Sequence, residues 1–319
     1  MVTFAFRSIL FLAFTCAVSV LAAAPASNAD RKIVLIGGLP SHGPGAHEHN
    51  AGVLLLQKCL AGVPGLKTEI VLNGWPRDQS VFEGADAVII YCDGGEGHPV
   101  LQGGNLPALD AVLAKGAGLA LLHYAVEPTR ERGQAEFMKW IGGAFEIHWS
   151  VNPVWVADFK SLPRHPITRG VEPFQLRDEW YFNMRFVDGM NGVTPILAAV
   201  PDKRTIVRRD GPHQNNPQVR AAVGRGDEQT VAWAYERSGD VGRGFGFTGG
   251  HFHQNWGNDD FRKIALNAIL WLARMEVPEQ GVVSTVTDAD LAANLDLVDQ
   301  ETGTKIPPVE SARGSRGPG

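Results

Sequence analysis

The chain is poor in cysteine, with three in 319 residues. Cys16 falls in a leader-like segment, so only Cys59 and Cys92 remain for the folded protein, and a disulfide framework is excluded. Cys59 falls on an apolar helical face and Cys92 follows an apolar strand; both read as small buried hydrophobes. Charge is sparse too. Charged residues make up 20% and the formal net charge is −5. The Lys and Arg are scattered, which argues against nucleic acid as a partner. No apolar run reaches the roughly 18 residues of a membrane-spanning helix, so no stable membrane insertion is expected. Familiar signatures are missing as well: no G-x-G-x-x-G or G-x-x-x-x-G-K-[ST] leads a strand into a helix, and there is neither H-E-x-x-H nor a cysteine-pair motif. A nucleotide cofactor is therefore not expected, and Gly94, Gly95 and Gly97 read as turn residues.

At the N-terminus, Arg7, the apolar stretch 9–21 and the small residues of 22–26 read as an export signal. Residues 1–26 are expected to be cleaved, placing the protein in the periplasm or secreted. Ala13-Phe14-Thr15 is a poor context for lipidation of Cys16. The mature chain of about 290 residues suffices for one large core.

Apolar strand patterns at 31–38, 68–72, 85–91 and 118–123 alternate with helical patterns at 47–60, 106–115 and 129–140. Strands apolar throughout and alternating with helices indicate a mainly parallel α/β sheet covered on both faces. After a less regular stretch with strand-like pieces at 154–159 and 196–200, a strand pair is read at 230–235 and 244–248. An apolar-striped helix at 259–275 closes the core. One domain spans 31–276. A C-terminal extension, 277–319, is read as a short helix capped by Thr287 followed by a disordered tail beyond Gln300.

What the sequence does have is ten histidines, most of them at strand ends or in glycine-rich loops. His42, His47 and His49 follow the first strand, Asp93 and His98 the third, and His123 the fourth. His251 and His253 follow the 244–248 strand. Strand ends are where ligands bind in α/β sheets. If these strands are neighbours, the loops converge on one rim. His123 stands where a strand–turn–helix would present a nucleophile, but no Ser or Cys is beside it. The bland reading, a hydrogen-bonded or exposed loop histidine, is kept for His42, His49, His98 and His213. His165, followed by proline, reads as a turn former; for His148 both readings stay open. His47, His123 and His251 are taken as functional. They serve either as ligands of a divalent ion such as Zn²⁺ or, without a metal, as acid–base groups. In Arg177-Asp-Glu-Trp-Tyr181 the bland reading is a turn carrying a half-buried aromatic pair.

Four stretches resemble, in order, the trehalose-utilisation (ThuA-like) family: His47-Glu48, Leu121-Leu-His-Tyr-Ala125, His165-Pro-Ile-Thr-Arg-Gly170 leading to Asp178-Glu-Trp-Tyr181, and Val231-Ala-Trp through Gly249-Gly-His251 to Trp271. The resemblance covers roughly 32–274. It implies a flavodoxin-like, class I glutamine amidotransferase-like three-layer sandwich and a role in sugar metabolism, on 3-keto derivatives of glucosides and disaccharides. It carries over His47, His123, Glu179 and His251 as site residues. The amidotransferase cysteine is missing at 123, so glutaminase activity is not implied. The export signal and the extra His42 and His49 depart from better-known members.

The resulting expectation is an enzyme acting on a keto-sugar or glycoside, by proton abstraction with elimination or isomerisation or by metal-assisted hydrolysis. His123, Glu179, Asp93 and Tyr124 are the catalytic candidates; Trp180, Tyr181, His148 and Trp256 are the substrate-binding ones. His47 and His251 hold the ion, if one is bound. The rival is a non-catalytic sugar-binding protein stacking sugars on Trp149, Trp180 and Trp256. A small-molecule carbohydrate is the expected partner, with homo-oligomerisation left open.

Overall fold

The computed structural model describes residues 1–2 and 30–307. The leader reading, with Cys16, falls outside the described residues apart from its first two positions.

Thirteen strands are described: β1 (Arg31–Gly37), β2 (Leu66–Val71), β3 (Ala85–Tyr91), β4 (Gly118–Leu122), β5 (Gly143–Ala144), β6 (Trp155–Phe159), β7 (Phe174–Asp178), β8 (Arg185–Phe186), β9 (Val193–Ala199), β10 (Gln229–Glu236), β11 (Arg243–Phe247), β12 (Leu297–Val298) and β13 (Lys305–Ile306). The helices are α1 (His49–Leu60), α2 (Asn105–Leu113), α3 (Gln134–Ile141), α4 (Pro217–Arg225), α5 (Asp259–Leu272) and α6 (Asp288–Leu291). Seven strands form one sheet in the order β2-β1-β3-β4-β11-β10-β9. Pairing is parallel from β2 through β11, and β10 runs antiparallel to both β11 and β9.

Side chains alternate across a strand, and here the alternation feeds two cores. Ile33, Leu35, Ala120 and Phe247 face one with Leu56 of α1 and Ile264 of α5. Val34, Ile36, Leu119 and Leu121 face the other with Leu109 of α2 and Phe137 of α3. Burial on both faces explains the unbroken apolar runs and gives the three-layer α/β sandwich.

Three expectations change. The 129–140 helix starts only at Gln134, because Gly133 takes φ 94° and Thr129 turns back to accept the Arg132 N–H at 3.0 Å. Phe174–Asp178, not read as a strand, pairs antiparallel with β6. Of the tail beyond Gln300, residues 301–307 are ordered, with β13 pairing with β12; the rest of that expectation lies outside the described residues. The ends of β1, β3, β4 and β11 are adjacent on one rim, where the histidine loops emerge.

Candidate metal centre

His123 opens the turn after β4 with φ 55°, and His47 precedes α1 with φ 50°. A side chain in this left-handed region costs on the order of 1–3 kcal/mol, a strain concentrated at functional sites. The surroundings hold both residues there. His47 N–H donates to the His251 carbonyl at 3.0 Å, and Ala46 bridges Phe252. Gly94 lets the neighbouring loop close over the turn, since a β-carbon there would stand 2.3 Å from the Tyr124 carbonyl oxygen. Opposite, the buried Asp178 carboxylate accepts the N–H groups of Gly250 (2.8 Å) and His251 (3.0 Å), and the Tyr91 hydroxyl donates to the Gly250 carbonyl.

Hydrogen-bond partners assign the neutral tautomers. His47 Nδ1–H donates to Asp93 Oδ1 at 2.7 Å, and His123 Nδ1–H donates to the Thr248 carbonyl at 2.9 Å. Each ring therefore turns a bare Nε2 inward, and the two Nε2 atoms are 3.1 Å apart. Two lone pairs facing each other at that distance repel unless a cation lies against both. His251 Nδ1 is 3.1 Å from His47 Nε2 and 3.0 Å from Glu179 Oε2, which is 3.7 Å from His123 Nε2. Tetrahedral zinc with bonds near 2.0–2.1 Å sets its donor atoms about 3.3 Å apart. The four donors, all within 4.8 Å of one another, have the spacing of one coordination sphere and can hold a metal ion.

Electrostatics agree. Burial, reinforced by His49, His42 and His251, holds His47 far below the ordinary imidazole range; burial with His47 and His251 does the same for His123. Neutral imidazole is the form that binds a metal. Asp93 orients a ligand, as carboxylates behind metal-binding histidines do. It also lies 3.7 Å from His49 Nε2 and 3.8 Å from His42 Nδ1, and His42 stacks on His47 at 3.6 Å. His42, His47 and Asp93 form a second cluster of ligand atoms, but His47 Nδ1 is there a proton donor, which suits orientation better than a second ion.

The remaining candidates divide. Tyr181 keeps its ring in the core and points its hydroxyl at the cluster, 3.4 Å from His123 Nε2 and 3.4 Å from Glu179 Oε2. It cannot stack on a sugar. Tyr124 is half-buried, its ring 6.0 Å from His47 and 6.3 Å from Tyr181. Trp180 and Trp256 are corrected outright: both are 0% exposed, packed around Phe261 with Phe247, and offer no face to a ligand. His148 is exposed, outside the cluster, and lines a separate cavity of about 340 Å³ with Phe145 and Trp149; the Arg185 guanidinium lies 3.4 Å over the Trp149 ring. His165 caps its turn, accepting from Ile167 N–H at 3.1 Å.

Two residues outside the cluster form a further polar pair beside it. Glu127, buried at the end of the His123 turn, holds His213 Nε2 at 2.8 Å. The Glu127 carboxylate raises His213 above the usual imidazole range, with Glu179 adding to the effect. Burial raises Glu127 itself. Burial raises the Tyr124 hydroxyl above its usual range, and the Glu127, Asp93 and Glu179 carboxylates add to the effect. No local sequence signal marks Glu127 or His213, which are 86 positions apart.

Similarity to known proteins matches this geometry in extent. A family described as ThuA, trehalose utilisation, matches residues 43–272, which contain His47, His123, Glu179 and His251. No curated protein matches the chain. A solved structure described as a ThuA-like protein from Bacteroides uniformis ATCC 8492 is 15% identical, covers 78% of this chain and 94% of its own, and superposes with a TM-score of 0.54. Another, from Parabacteroides merdae ATCC 43184, is also 15% identical, with coverages of 88% and 98% and a TM-score of 0.50. These two share the fold. With the family match spanning most of the sandwich and all four candidate ligands, the chain belongs to the ThuA, trehalose utilisation, family, and a carbohydrate-related role follows.

Proposed function

We propose that this protein is an exported, metal-dependent enzyme that acts on a keto-sugar or glycoside. His47, His123 and His251, with Glu179 beside them, would hold a divalent ion of the zinc type. When bound, such an ion polarises a sugar carbonyl. His123 is then a ligand and not the base. The base is the Glu179 carboxylate, 14% exposed at the mouth and within reach of the Tyr181 hydroxyl. Glu179 removes the proton from the carbon next to the ketone, and that C–H electron pair becomes the new carbon–carbon double bond. The bond to the glycosidic oxygen breaks, and the departing oxygen takes the proton shared by the His213–Glu127 pair. General acids and bases of this kind contribute about 10²–10⁴-fold each.

The observation that supports this reading is the pair of inward-facing Nε2 atoms 3.1 Å apart, each ring held by donation from its Nδ1, an arrangement suited to a shared cation. The binding-protein alternative loses two of its three stacking platforms to the core. Elemental analysis of the purified chain should find about one zinc-type ion. A set of 3-keto-glucosides should be turned over by the wild type and not by a folded His123→Ala variant; an active His123→Ala protein removes His123 from the site.

A further inference from the structure

We propose that the C-terminal hairpin is a strap that locks the His47 loop into its ligand-binding conformation, with Lys305 as its positioning residue. The inference rests on the metal-binding reading of that loop. β13 brings Lys305 back across 259 positions of sequence, and its ammonium donates to the Ala46 carbonyl at 2.8 Å. The same nitrogen lies 2.9 Å from Glu48 Oε1 and 3.1 Å from Asp296 Oδ2, with all three side chains 1% exposed. Glu48 Oε1 also accepts from Gly45 N–H at 2.8 Å, and Glu48 Oε2 accepts from Asp296 N–H at 2.8 Å.

The residues on both sides of His47, Ala46 and Glu48, are thus tied to one buried lysine. That grip falls where it is needed, because His47 itself sits at φ 50°, a conformation that a loose loop would abandon. It extends to a second candidate ligand. Ala46 bridges Phe252, Gly45 accepts from His253 N–H at 2.9 Å, and His47 N–H binds the His251 carbonyl. Loosening the strap therefore loosens His47 and His251 together. Without the lysine, Glu48 and Asp296 would be two like charges in a dry site with nothing between them. The strap lies beyond residue 272, where the family match ends.

The test uses the full chain with Lys305→Met and Lys305→Arg, loaded with Co²⁺ or Zn²⁺ after removal of bound metal. Lys305→Met should weaken Zn²⁺ binding about 10-fold or more, the loss seen when groups behind metal ligands are removed, and should change the visible Co²⁺ spectrum. Lys305→Arg, which keeps the charge, should recover most of both. If Lys305→Met does not fold, adding Glu48→Gln and Asp296→Asn removes the stranded charges, and the same weakening is expected. Wild-type affinity and an unchanged Co²⁺ spectrum in a folded lysine-free variant overturn the strap. A wild-type chain that takes up neither ion overturns the metal site, and the strap's role with it.

Discussion

Removing one of the two facing imidazoles gives the sharpest test of the cluster. His123→Ala deletes the Nε2 that stands 3.1 Å from His47 Nε2 and leaves His47 and His251 without the third imidazole. A ligand at 100 times its dissociation constant adds about 2.7 kcal/mol to the stability of the folded state. In a domain of this size each kcal/mol moves Tm by about 2–4 °C, so saturating Zn²⁺ should raise the wild-type Tm by about 5–10 °C. The variant should gain little at the same concentration. The assay is thermal unfolding of chelator-stripped protein with and without added Zn²⁺, each protein compared with itself. That comparison cancels the cost of the cavity left by the buried ring and of the orphaned Thr248 carbonyl, because both are present with and without metal. A wild type with no shift, or a variant with the full shift, refutes the reasoning.

Other outcomes follow from the same geometry. Glu127→Gln should lower the His213 pKa toward 6.5, read by NMR titration. Since the folded value is raised, the pair stabilises the protein below pH 6.5 and that contribution is lost as pH rises through the folded value; the variant should lose this dependence. His98, wholly buried with Nε2 on the Ala125 carbonyl and Nδ1 accepting from Val100 N–H, is pushed down to about 4. Its stabilisation is present above 6.5 and lost as pH falls from there toward 4. Between pH 7 and 5 this one residue should cost about 2 kcal/mol, and denaturant titrations of His98→Gln should show that much less acid sensitivity. Trp180→Ala should cost about 3–5 kcal/mol of stability as a core truncation; a variant of unchanged stability would return Trp180 to the surface.

The sheet was legible because burial on both faces leaves strands such as Ile33–Ile36 and Leu119–Leu122 apolar at every position, and short length with glycines at the strand ends sets them apart from buried helix. The convergence of the β1, β3, β4 and β11 loops followed from chain order and parallel pairing. The strap was not legible. β12 and β13 are two residues each, too short for any periodicity, and a lysine in a Gly- and Pro-rich tail reads as solvated. What orders it is a long-range ion network with Glu48, whose burial could not be inferred from its own surroundings in sequence.

The site divides along the same line. A residue's place at a strand end is a local property, so His47, His123 and His251 could be found one at a time. Which face of a ring is free is set by distant partners: Asp93 for His47 and the Thr248 carbonyl for His123. It is that pairing, not the presence of histidine, that makes the cluster suited to a cation. The Trp180 expectation failed for the matching reason. In Asp178-Glu-Trp-Tyr181 the acidic neighbours suggest solvent, yet Asp178 is itself buried and spent on Gly250 and His251. Trp180 meets its own polar needs at short range, donating Nε1–H to the Leu176 carbonyl at 3.1 Å while its carbonyl accepts from Trp155 Nε1–H at 2.9 Å. A tryptophan with its one donor satisfied loses nothing by burial and gains the apolar contact. Glu179, between two buried neighbours, is left as the carboxylate turned toward the imidazoles.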